Sequence, residues 1–265
     1  MIVIPAVDVK EGRCVRLREG RADAETVFSE DPVAMATQWA ARGAERLHVV
    51  DLDGAFGKPR QTAVIAKIIA AVAPVPVQVG GGLRDVAAIE AVLDAGAHRV
   101  VVGTRALEPD FLDEVCRRFW RRVIVAIDSR DGKVALKGWV ELSGLTPVEL
   151  VLALHEQGAT PRLAALLYTD VSRDGTGRGP NVEDTIALAK AAGIPVLASG
   201  GVGSVADIAA LAAVADAGIE GVVVGRALYT GAVSLADAIR AAATEPRASR
   251  AGHPRCEPDS RAPLQ

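Results

Sequence analysis

The sequence predicts an α/β protein that folds as a single (β/α)₈ TIM barrel built from two similar half-barrels, and three observations support this prediction. Eight short, apolar, β-branched runs alternate with eight segments of helical periodicity, which indicates a parallel sheet covered by helices. Stretches of the first half recur in the second. For example, Pro76 to Gly82 matches Pro195 to Gly201, 119 residues later. Glycines follow the helical segments, where a left-handed residue commonly ends a helix. An open doubly wound sheet is the structural alternative, but it does not explain the two similar halves.

The elements can be placed along the chain from these signals. The predicted strands lie at residues 2–7, 46–50, 75–79, 99–102, 123–127, 163–168, 195–198 and 221–224. The predicted helices lie at residues 31–42, 61–73, 85–95, 109–119, 147–157, 181–192, 204–217 and 234–243. Their starts are marked by Asp31-Pro32, by Glu108-Pro109 and by the capping-box spacing of Thr146 and Glu149. Their ends are marked by Gly43, Gly96, Gly158, Gly193 and Gly218.

We predict one domain over residues 1–243, divided into half-barrels of about 1–120 and 121–243. The segments 9–30 and 129–145 follow the first and fifth strands, and we interpret them as long loops on the catalytic face and as candidate lids. The tail over residues 244–265 is rich in arginine and proline and has almost no apolar periodicity. We therefore predict that the tail is disordered and lies outside the barrel.

Composition limits the class of protein and its partners. The chain has 265 residues, 50% hydrophobic and 3% aromatic, which suffices for one large core. A net charge of −3 and a pI of about 5.9 indicate no nucleic acid and no membrane as partner. Cys14, Cys116 and Cys256 have no metal-like spacing and favour a reducing compartment. Neither a signal peptide nor a membrane span is indicated, so we predict a cytoplasmic protein that is monomeric and acts on a small molecule.

Two aspartates end matching strands of the two halves. Asp8 follows the first predicted strand and Asp128 follows the fifth, 120 residues later. In a closed barrel these strands lie on opposite sides of one mouth, so the two carboxylates can divide into a general acid and a general base. An aspartate at a strand end can also simply cap the loop that follows it. The symmetric pair favours a catalytic role for both residues.

Glycine-rich strand ends form two sets related by the internal repeat. The first set comprises Gly81, Gly82, Gly103 and Thr104, and the second comprises Gly200, Gly201, Gly225 and Arg226. Glycine before a helix exposes backbone N–H groups that bind anions, although a single Gly-Gly pair is usually only a tight turn. Four such ends in matched pairs predict two phosphate sites, which suits a substrate with a phosphate at each end.

Further polar residues end the second and sixth strands. Asp51 and Asp53 follow the second strand, and Thr169, Asp170 and Asp174 follow the sixth. Their oxygens can bind ribose hydroxyls or transfer protons, and Asp-Gly is equally an ordinary turn signal. His48 lies inside a strand, and we expect it to pack in the barrel wall. No His, Cys and carboxylate cluster has metal spacing, so we predict no catalytic metal.

A set of motifs resembles one known family. The set comprises Pro5-Ala-Val-Asp-Val-Lys-Glu-Gly12, Val49-Val-Asp-Leu-Asp-Gly-Ala55, Val79-Gly-Gly-Gly-Leu-Arg84, Lys137-Gly-Trp139, Tyr168-Thr-Asp-Val-Ser-Arg-Asp-Gly-Thr176 and Ala198-Ser-Gly-Gly-Val202. From Met1 to about Ala243 the chain resembles the barrel family of histidine biosynthesis, and within it the phosphoribosyl isomerases. The resemblance implies an Amadori rearrangement without a cofactor. It also implies substrate contacts by Asp51, Arg84 and Trp139.

The same resemblance implies roles for the carboxylates. Asp8 is expected to be the general base that removes the C2 proton of the ribosyl unit. Asp128 is the matching acid, while Asp174, assisted by Thr169, is a rival for protonating the ring oxygen. The chemistry expected is ring opening to a Schiff base, proton abstraction to an enolamine, and tautomerisation to the ketone.

Three alternatives to this single-function isomerase remain at this stage. A bifunctional isomerase also acts on phosphoribosylanthranilate in tryptophan synthesis, but Asp51-Leu-Asp-Gly-Ala55 and Lys137-Gly-Trp139 look more like the single-function enzyme. The sister cyclase of the same pathway does not normally end its second strand in Val-Asp-Leu-Asp. A non-catalytic barrel that binds phosphorylated metabolites does not need Asp8 and its partner carboxylates, which are present here.

Overall fold

The structure is a computed structural model that describes residues 1–18, 21–136, 139 and 141–243. The strands are β1 (Ile2–Lys10), β2 (Arg13–Arg18), β3 (Arg21–Ser29), β4 (Leu47–Asp51), β5 (Val77–Gly80), β6 (Arg99–Val102), β7 (Val123–Arg130), β8 (Lys133–Leu136), β9 (Glu141–Leu142), β10 (Ala165–Asp170), β11 (Val196–Ser199) and β12 (Ile219–Val224). The helices are α1 (Pro32–Ala41), α2 (Leu52–Ala55), α3 (Thr62–Val72), α4 (Val86–Asp94), α5 (Pro109–Arg118), α6 (Pro147–Glu156), α7 (Val182–Ala192), α8 (Val205–Ala212), α9 (Arg226–Tyr229) and α10 (Leu235–Ala242). Short 3₁₀ helices cover Thr104–Leu107, Thr160–Arg162 and Ala215–Ala217.

Across the described ranges, eight parallel strands close into a barrel. They pair in the order β1, β4, β5, β6, β7, β10, β11 and β12, and β12 pairs with β1. A helical segment separates each barrel strand from the next along the chain. The predicted (β/α)₈ barrel is therefore confirmed. The domain bounds and the division near residue 120 stay predictions, and the tail over 244–265 lies outside the described residues.

Apolar side chains fill both faces of the barrel wall. Ile4, Ile124 and Leu197 belong to a cluster that packs inside the barrel. Ile89 and Leu112 belong to the larger cluster that joins the strands to the surrounding helices. Burial of each side chain of this size stabilises the folded protein by about 1.5–3 kcal/mol relative to leaving it exposed. Because both faces are buried, the barrel strands appear in the sequence as continuous apolar runs rather than as alternating ones.

The predicted helix ends agree with the structure at most positions. The five glycines predicted to follow helices all have left-handed φ angles, from 62° at Gly193 to 113° at Gly218. Thr146 and Glu149 form the predicted capping box. The predicted helix over 204–217 is wrong in its second half, because α8 ends at Ala212 and a 3₁₀ turn follows.

The segments 9–30 and 129–145 were expected to be loops, and this expectation is wrong. Each contains an antiparallel hairpin: β2 pairs with β1 and β3, and β8 pairs with β7 and β9. Arg13 and Arg16 interrupt the apolar run of β2, so a search for continuous apolar runs does not find this strand. The hairpins extend β1 and β7 beyond Asp8 and Asp128, which stand within these strands.

An irregularity in β12 brings three charges together at the amino-terminal end of the barrel. Val196 of β11 pairs with Ile219, but Leu197 pairs with Gly221, so Glu220 is an extra residue of the kind found in a β-bulge. The carboxylate of Glu220 lies 2.9 Å from Nη2 of Arg46 and 3.4 Å from Nη1 of Arg99. This cluster lies at the barrel end opposite to the aspartates.

Candidate active site at the barrel mouth

Asp8 is a buried carboxylate with one cationic neighbour. Its side chain projects from β1, and its Oδ1 lies 2.8 Å from Nη1 of Arg16 on β2. Burial raises the pKa of Asp8 to about 6, although the Arg16 guanidinium lowers it and the Asp174 carboxylate raises it. A carboxyl group that titrates near neutral pH is suited to accept a proton from a substrate.

Asp128 lies on the opposite side of the mouth, on β7. Burial raises its pKa to about 6, while hydrogen bonds from the side chains of Trp139 and Thr169 lower it and the Asp174 carboxylate raises it. The closure of the barrel explains the contact with Thr169, because Thr169 of β10 pairs in register with Asp128. The structure thus places Thr169 beside Asp128, whereas the resemblance had implied that Thr169 assists Asp174, and Trp139 completes the group.

Asp174 connects the two sides of the site. It lies in the loop after β10, and its charge raises the pKa of both Asp8 and Asp128. Its own pKa is raised by burial, against the opposing effects of Arg16 and of a hydrogen bond from the Gly175 backbone. Three carboxyl groups with raised pKa values therefore lie at one end of the barrel, and the charge of Asp174 acts on the other two.

A cavity of about 300 Å³ opens beside these carboxylates, on the side formed by β11 and β12. Its walls are mostly backbone and small side chains, and Arg16 and Asp174 also line it. The predicted residues of the second glycine set all line it: Gly200, Gly201, Gly225 and Arg226. Arg226 donates a hydrogen bond to the Gly175 carbonyl, which also lies in this wall.

Close backbone approach explains why glycine occupies several of these positions. A Cβ on Gly201 would lie 2.3 Å from the carbonyl oxygen of Gly179. In the first half, a Cβ on Gly82 would lie 2.2 Å from the carbonyl oxygen of Gly54. Both glycines also have left-handed φ angles. Each of these glycines allows the loops after two neighbouring strands to pack in direct backbone contact. Glycine is therefore required at both positions for packing, whether or not a phosphate binds there.

The first glycine set is more open than the second. Gly103 and Thr104 are exposed, and a Cβ on Gly103 would meet no atom within 4 Å. Gly81 packs against Asp51, since a Cβ on Gly81 would lie 2.2 Å from the Asp51 carbonyl oxygen. The predicted second phosphate site therefore has open backbone at Gly103, and phosphate binding there stays a prediction.

Asp51 and Arg84 hold loops in this structure. The fully buried Asp51 carboxylate accepts hydrogen bonds from the backbone N–H groups of Gly54 and Gln61. Arg84 donates hydrogen bonds to the carbonyl oxygens of Gly54 and Ala55. Asp170 has the matching position in the second half, where Ser172 and Asn181 donate to it. The predicted contacts of Asp51 and Arg84 with a substrate stay predictions.

Arg16 is the main site residue that the sequence reasoning missed. The sequence prediction assigns Arg16 to a loop, whereas β2 carries it into the mouth, where its buried guanidinium faces Asp8 and the cavity. Ser199, at the end of β11, also lines the cavity without having been predicted. The available signal is the strand-like alternation of Val15, Arg16, Leu17 and Arg18, shortly after the turn at Gly12.

His48 packs inside the barrel as expected. It is buried, and its Nδ1 lies 2.9 Å from Nε2 of Gln78. Burial, together with the Arg16 charge, lowers the pKa of His48 to about 4, so the ring is neutral at pH 7. Among the described residues, no three His, Cys, Asp or Glu side chains are grouped so that they could hold a metal ion.

Comparison with known proteins identifies the family. A family model described as "Histidine biosynthesis protein" matches residues 2–234. The chain belongs to this family. In the part of the chain that the structure describes, none of the helices of this histidine biosynthesis protein is long and apolar enough to cross a membrane.

Individual members of the histidine biosynthesis family are similar over nearly their whole length. Proteins of Thioalkalivibrio sulfidiphilus and Hahella chejuensis are each 50% identical to the chain over 240 residues, which cover 90% of the chain and 98% and 97% of these relatives. A protein of Geobacter sulfurreducens is 49% identical over 241 residues, covering 90% of the chain and 97% of the relative. All three are named 1-(5-phosphoribosyl)-5-((5-phosphoribosylamino)methylideneamino) imidazole-4-carboxamide isomerase.

Proposed function

We propose that this protein is the aldose–ketose isomerase of histidine biosynthesis. It converts N'-(5-phosphoribosyl)formimino aminoimidazole carboxamide ribonucleotide to its phosphoribulosyl form by an Amadori rearrangement. The isomerases named above support the proposal, since they match the chain over almost their full length. The structural observation that carries it is the placement of Asp8 and Asp128 on opposite strands of one barrel mouth, beside a cavity lined by Gly200, Gly201 and Arg226.

The proposed division of labour follows from the surroundings of each carboxyl group. Asp8 has a guanidinium beside it that favours the ionised form, so it is the base that removes the C2 proton. Asp174 or Asp128 protonates the ring oxygen, and Thr169 helps to orient Asp128. The reaction needs only placed acids and bases, so no cofactor is part of the proposal.

The two phosphates of the substrate are proposed to bind at the two glycine sets. One phosphate enters the cavity lined by Gly200, Gly201 and Gly225, where backbone N–H groups and Arg226 surround it. The other lies at the exposed Gly103 and Thr104. A substrate held at both ends presents its ribosyl C1 and C2 atoms to the carboxylates between the two sites.

Turnover of the purified protein tests this proposal. Wild-type enzyme is expected to convert the ribonucleotide to its ketose, and Asp8→Asn is expected to lower kcat by about 10³-fold while leaving substrate affinity nearly unchanged. Asp31→Asn is the matched control, because Asp31 caps α1 far from the mouth and asparagine also caps helices well. Full activity of Asp8→Asn contradicts the assigned base, and an inactive wild-type protein that binds the substrate indicates a non-catalytic barrel.

The bifunctional alternative is not favoured by the names of the relatives. The same assay with phosphoribosylanthranilate distinguishes the two activities, since comparable turnover of both substrates would support the bifunctional enzyme. We also propose that the protein is cytoplasmic and monomeric. Light scattering on the purified chain checks the second point, with a mass of 27.5 kDa expected for a monomer.

A further inference from the structure

Arg16 makes contacts on two sides of its guanidinium group. On one side, Nη1 lies 2.8 Å from the Asp8 carboxylate, and each of these side chains is only about a tenth exposed. On the other side, the guanidinium lies against Gly225, because a Cβ on Gly225 would be 2.0 Å from Nη2 and 2.4 Å from Cζ. Arg16 therefore spans from the proposed base to the wall of the cavity.

The guanidinium also has hydrogen-bonding capacity that the described protein groups do not use. Its Nε is buried and has no hydrogen-bond partner. Arginine presents five N–H donors in a planar fork, which matches the oxygens of a phosphate group. Arg16 lines the same cavity as Gly200 and Gly201, so an anion in this cavity would face it directly.

Most of the other ionisable groups around Asp8 and Arg16 are uncharged at pH 7. Burial raises the pKa of the Cys14 thiol and of the Tyr229 hydroxyl, so both groups are neutral at pH 7. His48 is neutral as well, because burial and the nearby guanidinium lower its pKa to about 4. Asp174 is the remaining ionisable group that acts on both residues. Arg16 is thus the cation that the surrounding carboxylates share.

We propose that Arg16 is a positioning residue shared between Asp8 and the bound phosphate, so that phosphate binding draws its charge away from Asp8 and makes Asp8 a stronger base. The inference rests on the proposed function, in which Asp8 is the base and the cavity holds a phosphate. Its consequence is that the base reaches full strength only when the phosphate end of the substrate is in place. The free enzyme keeps Asp8 ionised and paired.

The expected size of the effect follows from Coulomb's law. A charge that moves from contact distance to one or two ångströms further away changes the interaction with a carboxylate by roughly the equivalent of one pKa unit at an effective dielectric constant of about 20. A rise of one unit in the pKa of the base strengthens proton abstraction several-fold, according to Brønsted behaviour. The substrate phosphate would supply this gain without touching the reacting atoms.

An NMR titration of the full-length protein tests the coupling without any turnover. Carboxyl-labelled aspartate follows Asp8, whose signal is assigned by its loss in Asp8→Asn. The anion probe is inorganic sulfate, because inorganic phosphate titrates in the same pH range. In wild-type protein, saturating sulfate is expected to raise the apparent pKa of Asp8 by about one unit. In Arg16→Met the pKa is expected to be raised already and to be insensitive to sulfate.

Further variants keep the test decisive if Arg16→Met does not fold. Arg16→Lys retains the charge but lacks the planar fork, and it is expected to show less than half of the sulfate-induced shift. Arg13→Lys is the matched control on the same strand, where Arg13 pairs with Glu11 and Glu25, and it should behave like the wild type. An equal shift in wild type and Arg16→Lys, or no shift in wild type, overturns the inference.

Kinetics separate this inference from the proposed function. If wild-type protein turns over the ribonucleotide but sulfate does not shift Asp8, the coupling alone has failed. If sulfate shifts Asp8 but no isomerisation occurs, the proposed function has failed instead. If both hold, Arg16→Lys should lower kcat more than it raises KM, because the base is weakened after the substrate has bound.

Discussion

At the scale of single residues, the site is governed by carboxyl groups whose pKa values are raised by burial. Asp8 and Asp128 both titrate near pH 6, and Asp174 is coupled to each of them. A group of this kind can hold or release a proton near neutral pH, whereas an ordinary aspartate is ionised at that pH and is only a weak base. The surroundings of the carboxylates therefore determine whether these groups can take the proposed catalytic roles.

The raised pKa values predict the pH dependence of the reaction. The base must be ionised in the free enzyme, so kcat/KM should fall about tenfold per pH unit below about pH 6. A second limb at higher pH is expected where the acid loses its proton. Because the three carboxyl groups interact, the two limbs report the group and not single residues. A rate profile from pH 4 to 10 that stays flat across pH 6 would contradict this assignment.

Asp128 is also expected to cost the protein stability. Its pKa is about 6 in the folded protein and 3.8 in the reference state, so the folded protein holds the Asp128 proton more tightly than the unfolded chain. This contribution to stability is complete below pH 3.8 and is lost as the pH rises through 6, where the buried carboxylate becomes charged. Asp128→Asn should therefore raise the free energy of unfolding at pH 8 by about 1–3 kcal/mol, with no gain below pH 4. Urea unfolding at both pH values measures this.

Asp131→Asn is the control for this measurement. Asp131 is exposed in the turn after β7, in a left-handed conformation that asparagine tolerates. Its stability should match that of the wild type at both pH values. A gain in Asp128→Asn that is equal at pH 4 and pH 8 would assign the effect to packing instead of to the carboxylate charge.

Substitutions of two glycines distinguish a glycine needed for backbone packing from one proposed to bind phosphate. Gly82→Ala places a Cβ 2.2 Å from a backbone oxygen at a left-handed φ, so a loss of about 3 kcal/mol or more in unfolding free energy is expected. Gly103→Ala meets open space at a negative φ, so its stability should change by less than about 1 kcal/mol. A rise in KM for Gly103→Ala with a normal melting temperature would support phosphate binding there.

The sequence allowed the carboxylates to be located because Asp8 and Asp128 each follow a continuous apolar run and Asp174 lies in the loop after another such run. Asp8, Asp128 and Asp174 lie at the mouth where the alternation of strands and helices predicts them. Arg16 was not predicted, because its strand is short and interrupted by charge. Asp51 was predicted to contact the substrate, but in the structure its carboxylate caps a loop. An aspartate that caps a loop and one that binds a substrate cannot be told apart in a sequence.

At the scale of elements, the bulge in β12 determines the charge balance at the amino-terminal end of the barrel. Both oxygens of Glu220 face arginines, and Arg46 is among the buried polar residues. Nε and Nη1 of Arg46 have no hydrogen-bond partner within the described residues, so Arg46 depends on this carboxylate. No sequence pattern predicted the cluster, because a bulge depends on the register of neighbouring strands and not on local residue preferences.

Removal of this carboxylate is expected to destabilise the barrel. Glu220→Gln leaves two arginines without a countercharge, and the expected loss is about 2–4 kcal/mol of unfolding free energy. Glu45→Gln is the control, since Glu45 is exposed next to Arg46 and should change stability by less than about 0.5 kcal/mol. Thermal unfolding of both variants measures the difference. Equal melting temperatures would mean that the cluster contributes nothing to stability.

At the scale of the whole molecule, the described fold ends with α10 at Ala242, which packs near α8 and β1. The barrel is complete at this point, because β12 has already paired with β1. A chain shortened to residues 1–243 is therefore expected to keep the full kcat and to melt within about 2 °C of the full-length protein. A large loss of either property would show that residues 244–265 take part in folding or activity.

The bulge allows the two ends of β12 to meet different requirements. Only three residues separate Glu220 from Val224, the last residue of the strand, and Gly225 follows directly. Deleting Glu220 would remove the unpaired residue and leave Ile219 opposite Val196 and Gly221 opposite Leu197, so the register of the upper strand would not change. Gly225 would keep its place under Arg16, whereas Arg46 and Arg99 would lose their shared carboxylate. The extra residue therefore supplies a charge at the lower end of the strand without altering the cavity wall at its upper end.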